Sequence, residues 1–164
     1  MMKRLALFSK LSLLLFPFAL FAQNLKDDQF VSKQILILKS TKSYSDARAE
    51  AEAAAKKISM KLDLRGLRPN QKIGLSFSDQ ECRDVEFEFP CYVARGQELE
   101  GETQDYISVE YSDAYDGFQN GYYIVVAATA SKQDSKLKKL FKNIRKYYRD
   151  AYLKSTKVYM GCMH

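Results

Sequence analysis

The sequence predicts an α+β protein whose elements follow the order βαββαβ, with an antiparallel sheet and both helices on one face. A strand–helix–strand unit spans residues 121–161, and a fainter copy of its first half, strand then helix, occupies residues 34–62. Between the halves, short alternating segments predict a long β-rich insertion at about residues 67–120.

The first 22 residues have the layout of a secretory signal peptide. A basic start precedes twelve mostly apolar residues, 11–22, and cleavage is predicted after Ala22. A transmembrane anchor is the alternative, but twelve residues fall short of the ~20 that span a bilayer. No later segment is long and apolar enough to anchor the chain. We therefore expect export to the periplasm or the extracellular space.

The chain that remains after cleavage would carry its charge unevenly. Its residues divide into a polar lead at 23–32 and a single domain at 33–164. Residues 132–157 hold ten basic side chains against two acidic ones, whereas residues 23–131 hold thirteen against eighteen. For an exported protein this asymmetry favours an anionic envelope partner over nucleic acid, with a merely solvated helix face as the alternative.

The first half combines a buried strand with an alanine-rich helix. Residues 34–39 are an aliphatic run between polar residues, typical of a buried strand. Ser43 or Ser45 can cap the helix that follows, and Asp46 suits the positive end of its dipole. We expect this helix to reach about Leu62, with small alanine side chains along most of the stripe that faces the sheet.

The middle of the chain contains three alternating segments and two cysteines. Residues 72–77, 85–89 and 106–111 are each predicted to form a strand. In an oxidising compartment one disulfide is expected from Cys82, Cys91 and Cys162. We favour Cys82–Cys91, although a straight strand at 85–89 would hold these residues roughly 13 Å apart, beyond the ~7 Å that a disulfide allows. Either this segment bends back or Cys162 takes part.

The C-terminal unit pairs an apolar strand with a basic helix. Residues 122–129 form the strand, Asp134 is a good N-cap, and the helix is expected to run to about Lys154, before a short strand at 157–160. Apolar side chains at helical spacing form its buried stripe. Five basic residues lie away from that stripe: Lys138, Lys142, Arg145, Lys146 and Arg149.

Both halves together resemble the sporulation-related repeat family, the SPOR domains. The similarity lies in residues 35–38 leading into a Ser-capped, Ala-rich helix, and in residues 123–128 leading into a Lys-rich helix and the segment 151–159. The resemblance implies an exported ferredoxin-like module that binds peptidoglycan glycan strands on the helix-free face of its sheet. Residues 124–128 are apolar at every position, a pattern typical of a strand buried on both faces, so the insertion is a candidate to cover that face.

Tyrosines supply the candidate glycan-binding residues. Nine of the eleven tyrosines fall between residues 106 and 159, and tyrosine rings stack well on sugars. Packing within the sheet is the alternative for each of them. The hypothetical site comprises Tyr111, Tyr115, Tyr123 and Tyr159 as stacking rings with Arg95 as a hydrogen-bonding fork.

The sequence favours a non-catalytic protein without cofactor or metal. Its only histidine is the last residue, His164, so no catalytic triad has a plausible base. Cys162 and His164 lack a second cluster of metal ligands. An interaction domain that docks through the basic helix is the second hypothesis. A small secreted hydrolase is the third, with its carboxylates drawn from Glu98, Glu100, Glu102 and Asp105.

Overall fold

The architecture is α+β, as the sequence predicts. The computed structural model describes residues 30–96 and 104–160. Six strands and three helices are present in these residues: β1 (Phe30–Thr41), α1 (Tyr44–Lys57), β2 (Arg68–Asn70), β3 (Gly74–Ser76), α2 (Asp79–Asp84), β4 (Gln104–Tyr111), β5 (Tyr123–Ser131), α3 (Ser135–Ile144) and β6 (Tyr152–Tyr159). No helix among them is both long and apolar enough to cross a membrane.

Four strands form the main sheet, in the order β4-β5-β1-β6, and all neighbours are antiparallel. Strand β1 is central, pairing with β5 on one side and with β6 on the other. Strands β2 and β3 make a separate two-stranded hairpin. The outer edge of β4 is partly occupied, because the N–H of Ile107 donates to Lys61 O at 2.7 Å and the N–H of Asp63 donates to Ile107 O at 2.8 Å.

Helices α1 and α3 contribute to the same apolar layer on one face of the main sheet. The layer includes Ala47, Ala51 and Ala54 of α1 and Leu137 and Ile144 of α3. Alanine lets α1 approach the strands closely, since a methyl group adds little thickness between the backbones. Ser43 caps this helix, its hydroxyl accepting the N–H of Asp46 at 3.3 Å.

The opposite face of the sheet is covered by loops. Ile35, Ile37 and Val126 pack there against Ala94, which precedes β4 in the chain, and Tyr115, which follows it. Phe118, from the same connection as Tyr115, lies partly buried over this second layer. The connections on either side of β4 therefore bury the helix-free face, which explains why residues 124–128 are apolar throughout.

Several boundaries differ from the sequence prediction. Strand β1 begins at Phe30, inside the expected polar lead 23–32, and α1 ends at Lys57. Helix α3 ends at Ile144, ten residues before the expected end, and β6 begins at Tyr152. Pairing of residues 152–156 with β1 overrides the helical periodicity there, since ladder hydrogen bonds outweigh weak local propensity. Strand β4, inside the expected insertion, belongs to the main sheet.

The predicted strand at residues 85–89 is wrong. Helix α2 ends at Asp84, and the N–H groups of Val85 and Phe87 both donate to Cys82 O, which turns the chain back. Glu86 has a φ of 61° in this turn. The reversal brings the Cα atoms of Cys82 and Cys91 to 5.8 Å, and the favoured disulfide is present. A capping box at Ser78 and Glu81 starts α2, and this local chemistry outweighs the alternating pattern.

Removing the disulfide is expected to destabilise the fold measurably. The double variant Cys82→Ala/Cys91→Ala should lose about 2.7 kcal/mol of unfolding free energy, because the bridge closes a ten-residue loop in the unfolded chain. Urea denaturation followed by circular dichroism measures the loss. Reduction of the wild type should give the same shift and leave the double variant unaffected. An unchanged midpoint after complete reduction would contradict the prediction.

Candidate functional site

The basic surface, which we define as Lys138, Lys142, Arg145, Lys146 and Arg149, is exposed at all five positions. Asp134 is the N-cap of α3, and its Oδ1 accepts the N–H of Leu137 at 2.8 Å. Leu137 and Ile144 are buried, so their burial fixes which side of α3 faces outward. Lys138 and Lys142 lie on the helix itself, and the other three residues follow it before β6 begins.

Four residues of this region line an open depression: Phe141, Lys142, Arg145 and Lys146. The guanidinium of Arg145 lies 5.8 Å from the centre of the Phe141 ring. Among residues 30–96 and 104–160, six carboxylates form ion pairs, and all six pair with cations other than Lys142, Arg145 and Lys146. The depression thus joins one half-buried aromatic ring to three exposed cations. Arg145 Nη2 donates to Arg149 O at 3.0 Å, and Lys146 Nζ donates to Asn143 Oδ1 at 3.3 Å.

Tyr111 and Tyr123, two of the proposed stacking residues, lie together but pack against other rings. Their ring centroids are 5.2 Å apart. The ring of Tyr92 lies 5.6 Å from that of Tyr111, and the ring of Tyr44 lies 5.5 Å from that of Tyr123, measured between centroids. Tyr111 also closes over Gly74, where a Cβ would come within 2.0 Å of its ring. This cluster is half-buried and braces the hairpin β2–β3 against the main sheet.

Arg95 and Tyr115, two further residues of the hypothetical glycan site, are buried. Arg95 is 1% exposed. Its Nη1 donates to Tyr106 O at 2.7 Å, its Nη2 donates to Gln104 O, and its backbone N–H donates to the Tyr115 hydroxyl at 3.0 Å. Burial lowers the pKa of the Arg95 guanidinium and raises the pKa of the Tyr115 hydroxyl well above its ordinary value. Neither side chain faces solvent as a ligand contact would require.

A buried ion pair lies beside Arg95. Arg65 Nη1 donates to Glu110 Oε2 at 2.7 Å and to Val93 O at 3.1 Å. Burial alone would lower the pKa of Arg65, but the carboxylate of Glu110 and the oxygens of Tyr115 and Tyr106 raise it overall. The pair and Arg95 together attach the loop before β4 to that strand.

Tyr159 lies at the opposite end of β1 from Tyr123. It pairs with Phe30 at the first residue of β1, and their ring centroids are 5.4 Å apart. Tyr123 pairs with Thr41 at the last residue of β1. Since a strand rises about 3.3 Å per residue, the two ends lie roughly 36 Å apart. The five residues of the hypothetical glycan site do not share one surface.

The acidic residues of the hydrolase hypothesis fall almost entirely outside the described residues. Only Asp105 is described, in β4, where burial raises the pKa of its carboxyl. Cys162, His164 and the signal segment 1–22 also lie outside. In residues 30–96 and 104–160, no cluster of three histidine, cysteine or carboxylate side chains could hold a metal ion.

Two functional candidates escaped the sequence analysis. Val85, Phe87 and Phe89 are large apolar side chains exposed to solvent, whereas their alternation had predicted a strand. The pair Arg65–Glu110 was also missed. The sequence signal for this pair was the position of Glu110 in an alternating strand. Ile107 and Val109 lie on the helix-covered face of that strand, so Glu110 lies on the face that the loops cover.

No protein-family model, curated protein or solved structure matches this chain.

Proposed function

We propose that this protein is an exported, non-catalytic binding module whose basic surface docks on an anionic membrane surface. The observation that carries the proposal is that all five basic side chains are exposed and that none forms an ion pair with a carboxylate of residues 30–96 or 104–160. Lys136 and Lys139 on α3 add to them. Cations held near an anionic lipid surface contribute about 1 kcal/mol each, so a cluster of this size suffices for binding.

The shape and polarity of this region also suit a broad, flat partner. The depression at Phe141 is open, and Tyr147 in the same segment exposes 55% of its surface. Aromatic rings beside basic side chains favour the headgroup region, where one end of a ring meets hydrocarbon and the other meets water. Because exposed charges are screened over about 10 Å at 0.1 M salt, such binding weakens as ionic strength rises.

The proposal is tested by co-sedimentation with vesicles of phosphatidylglycerol and phosphatidylcholine. We expect the wild type to pellet with them at low salt and to be released by added salt. Lys142→Glu/Lys146→Glu should lower the bound fraction at least tenfold, because reversing two charges changes the net charge of the surface by four units. The matched control Lys56→Glu/Lys72→Glu reverses two exposed lysines elsewhere and should bind nearly as the wild type. Equal binding to phosphatidylcholine alone would contradict the proposal.

Glycan binding is the second candidate, with a ferredoxin-like fold of the SPOR type as its basis. What supports this fold is the run β1-α1-β4-β5-α3-β6 combined with the sheet order β4-β5-β1-β6. What supports a glycan contact is the Phe30–Tyr159 ring pair, in which Phe30 is 42% exposed. Pelleting with peptide-stripped sacculi that tolerates moderate salt and fails in Tyr159→Ala would favour this candidate. Salt-labile pelleting would favour the first.

A further inference from the structure

Residues 83–90, the clamped loop, present apolar side chains to solvent at a site with no role in the proposed function. Val85, Phe87 and Phe89 are 56%, 43% and 44% exposed. The disulfide Cys82–Cys91 joins the residues on either side of the loop. Exposed apolar side chains clustered in this way mark interaction sites more often than scattered ones do.

The base of the clamped loop is held in place by several contacts. Ser78 caps α2 and its hydroxyl lies 2.5 Å from Glu81 Oε2, while Arg68 of β2 pairs with the same carboxylate. Hydrogen bonds from Ser78 and then from Arg68 lower the pKa of Glu81 to about 2. Gln80 Nε2 donates to Asp84 Oδ1 at 2.7 Å. Because its base is ordered before any partner arrives, the loop loses little conformational entropy on binding.

Acidic residues alternate with the apolar ones along the clamped loop. Asp84, Glu86 and Glu88 are all exposed, and within the described chain none of the three forms a salt bridge. The loop therefore offers aromatic rings and carboxylates together. A complementary surface would supply an apolar ring surrounded by cations, and an anionic membrane would repel it.

The depression on α3 has those properties. Phe141 forms its apolar part, and Lys142, Arg145 and Lys146 surround it with three cations. Both surfaces belong to one chain, and both are exposed there, so the loop of one copy is free to meet the helix of another. Such a contact joins two different surfaces of the chain, and a two-fold axis would form it twice in a closed dimer.

We infer that this protein self-associates through insertion of the clamped loop of one copy into the Phe141 depression of a second copy. The inference rests on the basic surface of the proposed function and adds a second occupant to it. The aromatic rings of the loop meet Phe141, while Glu86 and Glu88 approach the cations that surround it. Complementary charges of this kind orient the partners and speed their encounter.

Charge reversal tests the contact by sedimentation equilibrium of the intact chain at low salt. The loop variant Glu86→Lys/Glu88→Lys and the helix variant Lys142→Glu/Lys146→Glu should each be monomeric, with self-association weakened at least tenfold. Mixing the two should restore a complex, since a basic loop then meets an acidic helix and an acidic loop meets a basic helix. One chain carrying all four substitutions should also self-associate.

Phe87→Ser separates the apolar contribution from the charged one and should weaken association without changing net charge. A wild type that stays monomeric at high concentration would overturn the inference, and so would a mixture that fails to associate. Vesicle binding keeps the two proposals apart. The loop variant should still bind phosphatidylglycerol vesicles, whereas the helix variant should not, so failure of membrane docking leaves the self-association test valid.

Discussion

Replacing Arg95 with methionine should reduce the free energy of unfolding by about 3 kcal/mol. The substitution keeps an unbranched apolar stem but removes the guanidinium and with it the charged hydrogen bonds to Tyr106 O and Gln104 O, and such bonds contribute ~1.5–3 kcal/mol each. It also removes the guanidinium from the Tyr106 ring, whose centre lies 3.5 Å away. Relief of the desolvated charge offsets part of this loss, because burial already lowers the pKa of Arg95.

Guanidinium chloride unfolding followed by circular dichroism measures the effect of Arg95→Met. Arg149→Met is the matched control, since it makes the same chemical change at an exposed position and should leave the midpoint unchanged. A ligand-binding role without a structural one predicts the opposite pattern, with stability retained. Equal midpoints for the two variants would therefore remove the structural role that we assign to Arg95.

Breaking the buried pair Arg65–Glu110 should have a comparably large effect. Glu110→Leu leaves the mostly buried guanidinium of Arg65 without its carboxylate, and uncompensated charges of this kind cost ~3–5 kcal/mol. Arg65→Met likewise leaves the carboxylate of Glu110, which is 1% exposed, without its guanidinium partner. The double variant removes both charges, so its loss should be smaller than the sum of the two single losses by about 1–3 kcal/mol.

A double-mutant cycle, with each free energy measured in urea, gives this coupling directly. The pair Arg48–Glu52 is the matched control, since both of its side chains are about half exposed and water screens their interaction. We expect no measurable coupling there. Additive losses at Arg65 and Glu110 would mean that the two side chains act independently, contrary to their 2.7 Å contact.

The sheet and its helices were predictable because their signals are local and mutually consistent. Ser43 and Asp134 cap α1 and α3 as their sequences indicate, and the strands follow the aliphatic runs. The end of α3 was not predictable from periodicity. Residues 145–154 continue a helical pattern, yet residues 152–154 pair with β1, a partner that lies more than a hundred positions earlier in the sequence.

The exposure of the basic side chains could be predicted from the sequence, but the placement of the tyrosines could not. Lys138 and Lys142 lie on α3 away from its buried stripe, so their exposure follows from helical spacing. Arg145, Lys146 and Arg149 follow the helix, and long basic side chains are mostly solvated there too. Whether Tyr115 or Arg95 faces outward depends on which loop covers which face, and that arrangement is set by tertiary packing. The strand predicted around Phe87 was wrong for a similar reason, because the capping of α2 and the disulfide determine the conformation of this segment.

The central position of β1 has a consequence for how the chain folds. Ile35 pairs with Thr129 on one side and with Lys154 on the other, so its neighbours lie 94 and 119 positions further along the chain. Contacts of such sequence separation give a high contact order, which slows folding. During synthesis, the first strand must remain without its final partner until β6 has left the ribosome, and the apolar residues of β1 stay open to aggregation or chaperone binding throughout that interval.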